Sequence, residues 1–470
     1  MGKMKKIEYI MLFKIIYLLN VLFAFNCFIF DLKIMKILSG FVILFGAILI
    51  VSRIKEIKEM IHYRYMWIFL LFMISYIMST IINYPYGIVG NIKGGIWFGL
   101  QIILLYYISS KTSVEKVAKE VRIIYGILVI YTTVCNLVGI IMMFFQYGGV
   151  REGQGGSSTF YGFIWGRLWG CYTDPNHGAV LTIVAMIYSV YLIKGQKNRY
   201  VKIIQVLSLL INYLFVVFSD SRTGKVCCCV ILGMYFFIKL FSENKKYCKL
   251  KMIKNSVIFV VITFLFSCSF SYVKDFYNSV VNRIVIEETK EETVEEILEE
   301  EIVHELEKRS IGREEDIEKD YSNRRFDIWK SGFEIFKEKP VFGITFRNIL
   351  SFTRMEMPET YIVNNDQGDF DSFHNVLVDV LVSQGLIGVI LIVVMGILFG
   401  KYFIQEIFIY RKMECEIQFT FLVVIMLLIS SMFISAIFYV NSPETILFWM
   451  SLGYLMYWLK NNNIKCVEEK

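Results

Sequence analysis

Four arginines are placed where they could bind a phosphorylated ligand: Arg167, Arg222, Arg324 and Arg325. Arg167 and Arg222 lie close to the outer ends of predicted membrane spans, and Arg324 and Arg325 lie in the long segment predicted to face outward. A guanidinium stays charged and offers a planar fork of donors that suits a phosphate or diphosphate group. Near lipid, where the dielectric is below that of water, each such contact is worth ~2–3 kcal/mol. An isolated arginine there more often reaches lipid headgroups, but arginines on three separate outward segments favour a diphosphate ligand.

His374 is the candidate general base. It lies in the sequence DSFHNVLVD, immediately before an apolar span and next to Asn375. Imidazole has the side-chain pKa nearest neutrality, which suits proton transfer. The alternative is a histidine that caps the following helix, and the residues alone leave the two interpretations equal. His177 is predicted to lie within the first turn of its own span, which makes it a weaker candidate.

Carboxylates near His374 allow another chemistry. Asp366, Asp369 and Asp371 cluster before it, and Asp174 precedes Pro175. Paired carboxylates cleave glycosidic bonds in many enzymes, but runs rich in Asp, Gly and Asn are usually turns. Asp371 is also in a position to orient His374. We therefore expect catalysis by His374 rather than by a carboxylate pair.

The cysteines and histidines predict no metal site, no other cofactor and no disulfide framework. The ten cysteines match no metal-binding spacing, and the four histidines are scattered along the chain. Cys171 is the main cysteine that is expected to face outward, and we interpret it as a small structural residue.

The elements that position these residues are predicted to be membrane helices. The chain has 470 residues and is 56% hydrophobic, whereas soluble domains are about 45–50% apolar. Apolar runs of about 18 residues or more with few charges are typical of spanning helices. Twelve such runs lie near 9–30, 34–52, 66–84, 92–109, 123–146, 176–193, 203–219, 225–241, 255–272, 376–400, 418–439 and 446–459. We therefore predict an all-α integral membrane protein with about twelve transmembrane helices.

Charge distribution predicts the orientation of the spans. Lys and Arg concentrate in alternate loops, as the positive-inside rule requires for twelve spans with both termini in the cytoplasm. The first apolar run follows a basic head without a cleavage site and is predicted to be an anchor helix. The net charge of +7 thus reflects topology, and no nucleic-acid partner is implied. Three regions follow: nine spans in 1–272, a large extracytoplasmic loop in 273–374, and three spans with a cytoplasmic tail in 375–470.

Three outward segments carry the polar residues, and we expect them to converge above the helices: 148–176, 219–225 and 273–374. Within the last, residues 284–320 are strongly acidic and carry an apolar stripe at helical spacing, formed by Val294, Ile297, Leu298, Ile302 and Leu306. This predicts an amphipathic helix that lies on the bundle, with direct sugar binding as the alternative. A second amphipathic helix is predicted from Asn323 to Lys339, ending at Pro340, with a sharp turn at Gly343.

Four motifs resemble those of the O-antigen ligase and polysaccharide polymerase superfamily of bacterial envelope glycosyltransferases. RLWGCYTDPNHGA at 167–179 is similar to an Arg-x-x-Gly segment followed by Asn-Pro-Asn, and SDSRTG at 219–224 to a Ser-Arg-Thr/Ser-Ala/Gly connection. RFDIW and KPVFGI within 325–344 are similar to Arg-x-x-x-Trp followed by Pro-x-x-Gly. FHNVLVDVLVSQGLIGVI at 373–390 is similar to the His-Asn segment with its Gly-Leu-Ile-Gly continuation. Asp174 in place of the first Asn and the acidic insertion at 287–320 depart from this pattern.

The resemblance implies a fold, a substrate and a set of roles. It implies about twelve helices with a long outer loop, and metal-independent transfer of a glycan from a polyprenyl diphosphate carrier to an acceptor hydroxyl. By this resemblance Arg222 and Arg325 would bind the diphosphate, and His374 would activate the acceptor. Arg167 would be an auxiliary ligand and Arg324 a substitute for its neighbour. Asn375 and Asp371 complete the predicted substrate-binding set.

The leading hypothesis is a repeat-unit polymerase that elongates a capsular or surface polysaccharide on its lipid carrier. A ligase that moves a finished glycan to a lipid or protein acceptor shares the chemistry. A transporter of the lipid-linked oligosaccharide would need the arginines but not His374, and an assembly partner of an export complex would need neither. Expected partners are the polyprenyl-diphosphate-linked oligosaccharide, membrane lipid, and a flippase and chain-length regulator of the same pathway. The expected location is the bacterial cytoplasmic membrane, with the active site facing outside.

Overall fold

The computed structural model describes residues 3–152, 158–243, 249–292, 305–306, 308–312, 324–366, 368–410 and 414–461. Its α-helices are α1 Lys3–Ala24, α2 Lys33–Ser52, α3 Ile57–Ile61, α4 Met66–Ile82, α5 Val89–Leu100, α6 Val114–Phe144, α7 Pro175–Gly195, α8 Arg199–Phe218, α9 Arg222–Glu243, α10 Lys249–Glu292, α11 Arg325–Glu338, α12 Ile349–Glu356, α13 Val376–Phe403, α14 Cys415–Ser430 and α15 Pro443–Lys460. Short 3₁₀ turns occupy Ile54–Glu56, Tyr84–Tyr86 and Phe346–Asn348, and π-helical turns extend α5 over Gln101–Tyr106 and α13 over Ile404–Ile409.

The helices confirm a multi-pass membrane protein. Within the described ranges, eight helices are long and apolar enough to cross a membrane, and Ile54–Ile61 with α4, bent by 107°, would make a ninth. The eight are α2, α5 with its π-helical extension, α6, α7, α8, α9, α10 and α13 with its extension. Each of the twelve predicted runs overlaps a helix, but α14 is shorter than a full span. The number twelve therefore stays a prediction.

Two helix boundaries differ from the sequence-based expectation. The span predicted to end at 272 continues as α10 to Glu292, because Tyr277, Val281 and Val285 repeat at helical spacing and are all buried. The span predicted over 418–439 ends as α14 at Ser430, and an irregular segment follows as far as Ser442. The predicted loop boundary at 273 therefore falls inside a helix.

A third difference brings a buried ion pair into the helices. Helix α6 begins at Val114, ahead of the predicted 123, so Glu120 is helical and buried. Lys14 of α1, 2% exposed, donates to the Glu120 carboxylate at 2.6 Å, and Tyr454 donates to the same oxygen at 2.7 Å. Burial of these charges is tolerated because each has a partner.

A small antiparallel sheet forms where the sequence predicts only a glycine-rich outward segment. Strands β1 Gly148–Glu152, β2 Ser158–Ile164 and β3 Arg167–Gly170 pair in the order β1-β2-β3. Gly148 pairs with Gly162, whose φ is +71°. A Cβ on Gly162 would lie 2.0 Å from the Tyr147 carbonyl oxygen. The glycines therefore permit close strand pairing rather than a loose loop.

The described residues fall into two compact units. The first unit comprises 1–22, 33–124 and 320–468. Helix α15 lies in its core, with Trp449, Tyr454 and Trp458 at most 1% exposed. Rings from two other helices pack edge-on to Trp449, Phe69 at 5.0 Å and Phe98 at 5.7 Å.

The second unit comprises 23–32 and 125–319. A buried polar cluster joins its helices, since Asn136 donates to Thr182 at 3.0 Å and to Asn212 at 2.8 Å, and accepts from the Tyr172 hydroxyl at 2.9 Å. Cys171, predicted to face outward, is buried, because the loop at Cys27 pairs with it through a backbone hydrogen bond of 2.9 Å. The predicted apolar stripe on the acidic segment falls, except for Leu306, outside the described residues.

Helix α13 is broken at Gly385, and a segment of the outer loop fills the break. Gly385 has φ +60° and ψ −153° inside the helix. The carbonyl oxygens of Val382 and Ser383, which the break removes from the helical pattern, accept from the amides of Ile344 and Thr345, both at 2.9 Å. In return, the Leu386 amide donates to the Pro340 carbonyl at 2.8 Å. The KPVFGI and SQGLIG motifs are therefore one paired structure.

Substitution of Gly385 by alanine should strongly destabilise the protein. Its backbone conformation is essentially restricted to glycine, and a Cβ would lie 2.5 Å from the Pro340 carbonyl oxygen. Backbone strain and steric overlap together should lower the free energy of unfolding by about 2–5 kcal/mol. Gly396→Ala in the same helix is the matched control, because its Cβ would meet nothing within 4 Å. Thermal unfolding in detergent micelles measures both, and equal Tm values for the two variants would contradict the prediction.

Candidate active site

In the second unit, Arg167 joins two of the predicted motifs. It begins β3 and is 8% exposed. Its Nε donates to the Ser219 carbonyl at 2.7 Å, and its Nη2 donates to Asn176 Oδ1 at 2.8 Å. The Ser221 hydroxyl donates to the same Asn176 oxygen at 2.9 Å. The segments 167–179 and 219–224 are thus held together by a hydrogen-bonded cluster, which suits Arg167 for positioning more than for binding a ligand.

Arg222 is the first residue of α9. Its side chain is half-buried. Ser221 precedes it, and the Ser221 hydroxyl accepts from the Gly224 amide at 3.0 Å. Gly224 lies against Ala179 of α7, since a Cβ would come within 2.8 Å of the Ala179 Cβ. The positive end of the helix dipole and a guanidinium coincide here, and both favour a negatively charged group.

Asp174 caps the helix that follows the first motif. Its carboxylate accepts from the amides of Asn176 at 2.6 Å and His177 at 3.2 Å. His177 lies in the first turn of α7, as predicted. Burial acts to raise the pKa of Asp174, but the attraction of His177 and Arg167 and the two amide hydrogen bonds outweigh it, so this pKa lies below its ordinary value.

In the first unit, the adjacent residues Arg324 and Arg325 have different surroundings. Arg324 has φ +60° and precedes α11. Its guanidinium donates to Asp366 and, at 3.1 Å, to the Tyr361 hydroxyl, and it lowers the pKa of the Asp366 carboxyl. Arg325 instead donates to the Phe433 carbonyl at 3.1 Å and lies over the Phe433 ring, with 5.6 Å between Cζ and the ring centroid. An exposed ion pair therefore engages Arg324, while Arg325 points toward the irregular segment after α14.

His374 lies directly before α13, with φ +50° and a half-buried side chain. The alternative that it caps the helix is wrong, because Asn375 occupies that position. The Asn375 side-chain oxygen accepts from Leu377 N at 2.9 Å and Val378 N at 3.4 Å, and its amide donates to the Met432 carbonyl at 3.3 Å. This geometry suits Asn375, predicted to bind substrate, for fixing the helix start. Asp371 is exposed, and its predicted role stays a prediction.

Within the first unit, the segment Ser431–Ser435 meets both Arg325 and the residues that follow His374. Sequence reasoning missed it, because it placed these residues inside a membrane span. It also missed the link through Asn176, although that residue stands in a quoted motif. The capping pattern around Pro175 was the signal that could have indicated Asn176. No sequence pattern indicates the contacts of Ser431–Ser435.

A groove of about 590 Å³ lies beside the C-terminal part of α11. Among its described lining residues are four carboxylates, those of Glu334, Glu338, Glu356 and Glu359, and one cation, Lys339. A diphosphate would meet net repulsion there. The groove is therefore unsuited to the carrier group that the arginines are expected to bind.

The fold and these residues define a multi-pass membrane protein with cationic and imidazole groups at helix starts. Residues 206–393 match the family described as O-Antigen ligase, which confirms the predicted resemblance to the O-antigen ligase superfamily. The matched range contains Arg222, Arg325 and His374, whereas Arg167 and the segment Ser431–Ser435 lie outside it. The search of curated proteins found no significant match for this chain.

Asp174 should make stability depend on pH in the acid range. A depressed folded-state pKa contributes stability that is complete above the unfolded pKa of about 3.9 and is lost as pH falls through the folded value. Asp174→Asn keeps a good N-cap but does not titrate. Its Tm should therefore lie below that of the wild type at pH 6–7, and the difference should shrink below about pH 4.

Asp174→Ala, which also loses the cap, should cost about 0.5–2 kcal/mol at neutral pH. Thermal unfolding in detergent between pH 3 and 7 measures all three proteins. A difference between wild type and Asp174→Asn that stays constant over this range would contradict the assignment.

Proposed function

We propose that the protein is a membrane glycosyltransferase that polymerises oligosaccharide repeat units carried on a polyprenyl diphosphate. The observation that carries this proposal is the match of residues 206–393 to the O-antigen ligase family, which includes the predicted base and two predicted diphosphate ligands. Placement of Arg222 and His374 at the starts of α9 and α13 supports it, since both helices are long and apolar enough to cross a membrane. The reaction takes place on the outer side of the bacterial cytoplasmic membrane.

The proposed reaction needs charge neutralisation and one proton transfer. Arg222 and Arg325 offset the negative charge that develops on the leaving diphosphate, and such electrostatic stabilisation can supply most of the rate. His374 takes the proton of the acceptor hydroxyl. The bond from the anomeric carbon to the diphosphate breaks as the bond to the acceptor oxygen forms, so attack from the opposite face inverts that carbon. No step requires a metal.

The remaining predicted site residues receive supporting roles in this proposal. Arg167 and Asn375 hold neighbouring elements in place, because their donors and acceptors are engaged by Ser219, Asn176 and Met432. Arg324 stabilises the outer loop through Asp366. The adjacent arginines thus differ in function as they do in surroundings.

Ligation is the second candidate, because the matched family is described as O-Antigen ligase. The ligase would use the same residues to transfer a finished glycan to a lipid or protein acceptor. Deletion of the gene separates the two: single repeat units left on the carrier indicate a polymerase, and long unattached chains indicate a ligase.

Substitution of the proposed base and ligands should abolish transfer without unfolding the protein. His374→Ala should lower turnover by about 10²–10⁴-fold, the usual contribution of a general base. Arg325→Ala should lower it by about 10²–10³-fold, as for loss of one oxyanion donor. Arg324→Ala is the matched control, and its turnover should stay near that of the wild type. The assay follows chain growth by purified protein on a defined carrier-linked oligosaccharide.

The same assay distinguishes the alternatives. Turnover should persist in a chelator, and its loss there would indicate a metal-dependent mechanism. If His374→Ala leaves glycan chain length unchanged in cells while Arg222→Ala abolishes the glycan, the protein is better explained as a transporter than as a transferase.

A further inference from the structure

We infer that the irregular segment Ser431–Ser435 is a positioning element of the active site, which holds Arg325 and His374 in a fixed relation. The inference rests on the proposed function for its catalytic meaning, but its geometry stands on contacts within the first unit. The segment lies outside the range matched by the family.

Three consecutive backbone carbonyls of the segment accept hydrogen bonds from the two predicted catalytic regions. Ser431 O accepts from the Val376 amide at 2.9 Å, and Met432 O accepts from the Asn375 side chain at 3.3 Å. Phe433 O accepts from Arg325 at 3.1 Å, and the Phe433 ring lies beneath the same guanidinium. Arg325 and the two residues after His374 are therefore bonded to consecutive carbonyls of one segment.

The side chain of Ser435 fixes the residue before His374. Its hydroxyl donates to Asp379 Oδ2 at 2.6 Å, and Asp379 Oδ1 accepts from the Phe373 amide at 2.9 Å. Asp379 is 3% exposed and Phe373 is fully buried. From the other side, Trp329 Nε1 donates to the Phe373 carbonyl at 3.0 Å. Phe373, the residue that leads into His374, is thus held at both its amide and its carbonyl.

The irregular backbone is what makes these carbonyls available. In a continuous helix the carbonyls of residues 431–433 would accept from amides four residues later. Instead α14 ends at Ser430, and the chain takes positive φ at Ile437 (+76°) and Tyr439 (+61°) before α15 begins. Such conformations are costly for a β-branched or aromatic residue and persist only where surrounding contacts impose them. At Ile437 the amide donates to Thr445 at 3.1 Å and the carbonyl accepts from Trp449 at 2.9 Å.

Arg325 and His374 are therefore held by different contacts, and loss of each set should affect the reaction differently. Ser435 acts through Asp379 and Phe373 on the orientation of His374. Phe433 acts on the orientation of the Arg325 guanidinium, through a carbonyl and a ring. Loss of the first should affect the chemical step, and loss of the second should affect diphosphate binding.

The test compares Ser435→Ala with Ser430→Ala in the full-length protein in detergent. Ser430 is also a buried serine, and its hydroxyl donates to Leu427 O within its own helix. The first readout is the rate at which diethyl pyrocarbonate modifies His374, followed by mass spectrometry, which needs no enzymatic activity. Ser435→Ala should change this rate by at least about 3-fold, since a reoriented imidazole differs in access and hydrogen bonding. Ser430→Ala should leave the rate unchanged, and Ser435→Thr should restore it.

The second readout is kinetic. Ser435→Ala should lower kcat by ~10–100-fold with little change in the KM for the carrier-linked donor, as expected for a small misplacement of a catalytic group. Phe433→Leu, at a half-buried position, should raise that KM by about 3-fold through its effect on Arg325. Phe433→Tyr should behave as the wild type, because it keeps the ring.

Modification of His374 at the wild-type rate in Ser435→Ala overturns the inference, whether or not the protein transfers sugar. A reduced kcat without a changed modification rate also overturns it, since the effect would then not pass through His374. Should Ser435→Ala fail to fold, Phe433→Leu decides by its effect on KM. Failure of the proposed function is recognised separately, by absence of chain growth in the wild type or by full activity of His374→Ala.

Discussion

A backbone carbonyl that leaves a helix near lipid must find a donor within the protein, and this constraint shapes two breaks in the helices of the first unit. At Gly385 helix α13 frees the carbonyls of Val382 and Ser383, and the chain around Gly343 supplies the missing amides. After Ser430 the helical pattern ends again, and the freed carbonyls accept from Val376, Asn375 and Arg325. In one place the break is repaired by a loop, and in the other it is repaired by residues of the candidate site.

Much of this organisation could be predicted from the sequence, because it depends on local patterns. Apolar runs predicted the positions of the helices, and the amphipathic pattern after residue 323 predicted α11 within two residues at its start. Pairing between the glycine motifs could not be predicted, since it joins residues about 40 positions apart through backbone atoms that every residue has. The glycines showed only that a turn was allowed there. For the same reason, the hydrogen bonds of the carbonyls of residues 431–433 could not be predicted from the residue types.

Adjacent arginines show where sequence reasoning about the site reaches its limit. Arg324 and Arg325 are chemically identical, and the family motif alone favours the second. Their different surroundings arise from the backbone, because Arg324 precedes the helix with a positive φ whereas Arg325 is the first helical residue. One guanidinium then meets Asp366 and the other meets Phe433. The helix start, rather than the residue type, gives the two arginines their different partners.

The same reasoning separates residues that bind from residues that position. Arg167 and Asn375 stand in the quoted motifs beside predicted ligands, yet each is buried and bonded to backbone or amide groups. A motif in a membrane protein must satisfy its own polar groups before it can serve a substrate, because an unpaired buried group costs more than a single contact returns. Several motif residues therefore hold neighbouring elements together. At the starts of α9 and α13 a neighbouring serine or asparagine accepts from the helix amides: Ser221 accepts from Gly224 beside Arg222, and Asn375 accepts from Leu377 beside His374.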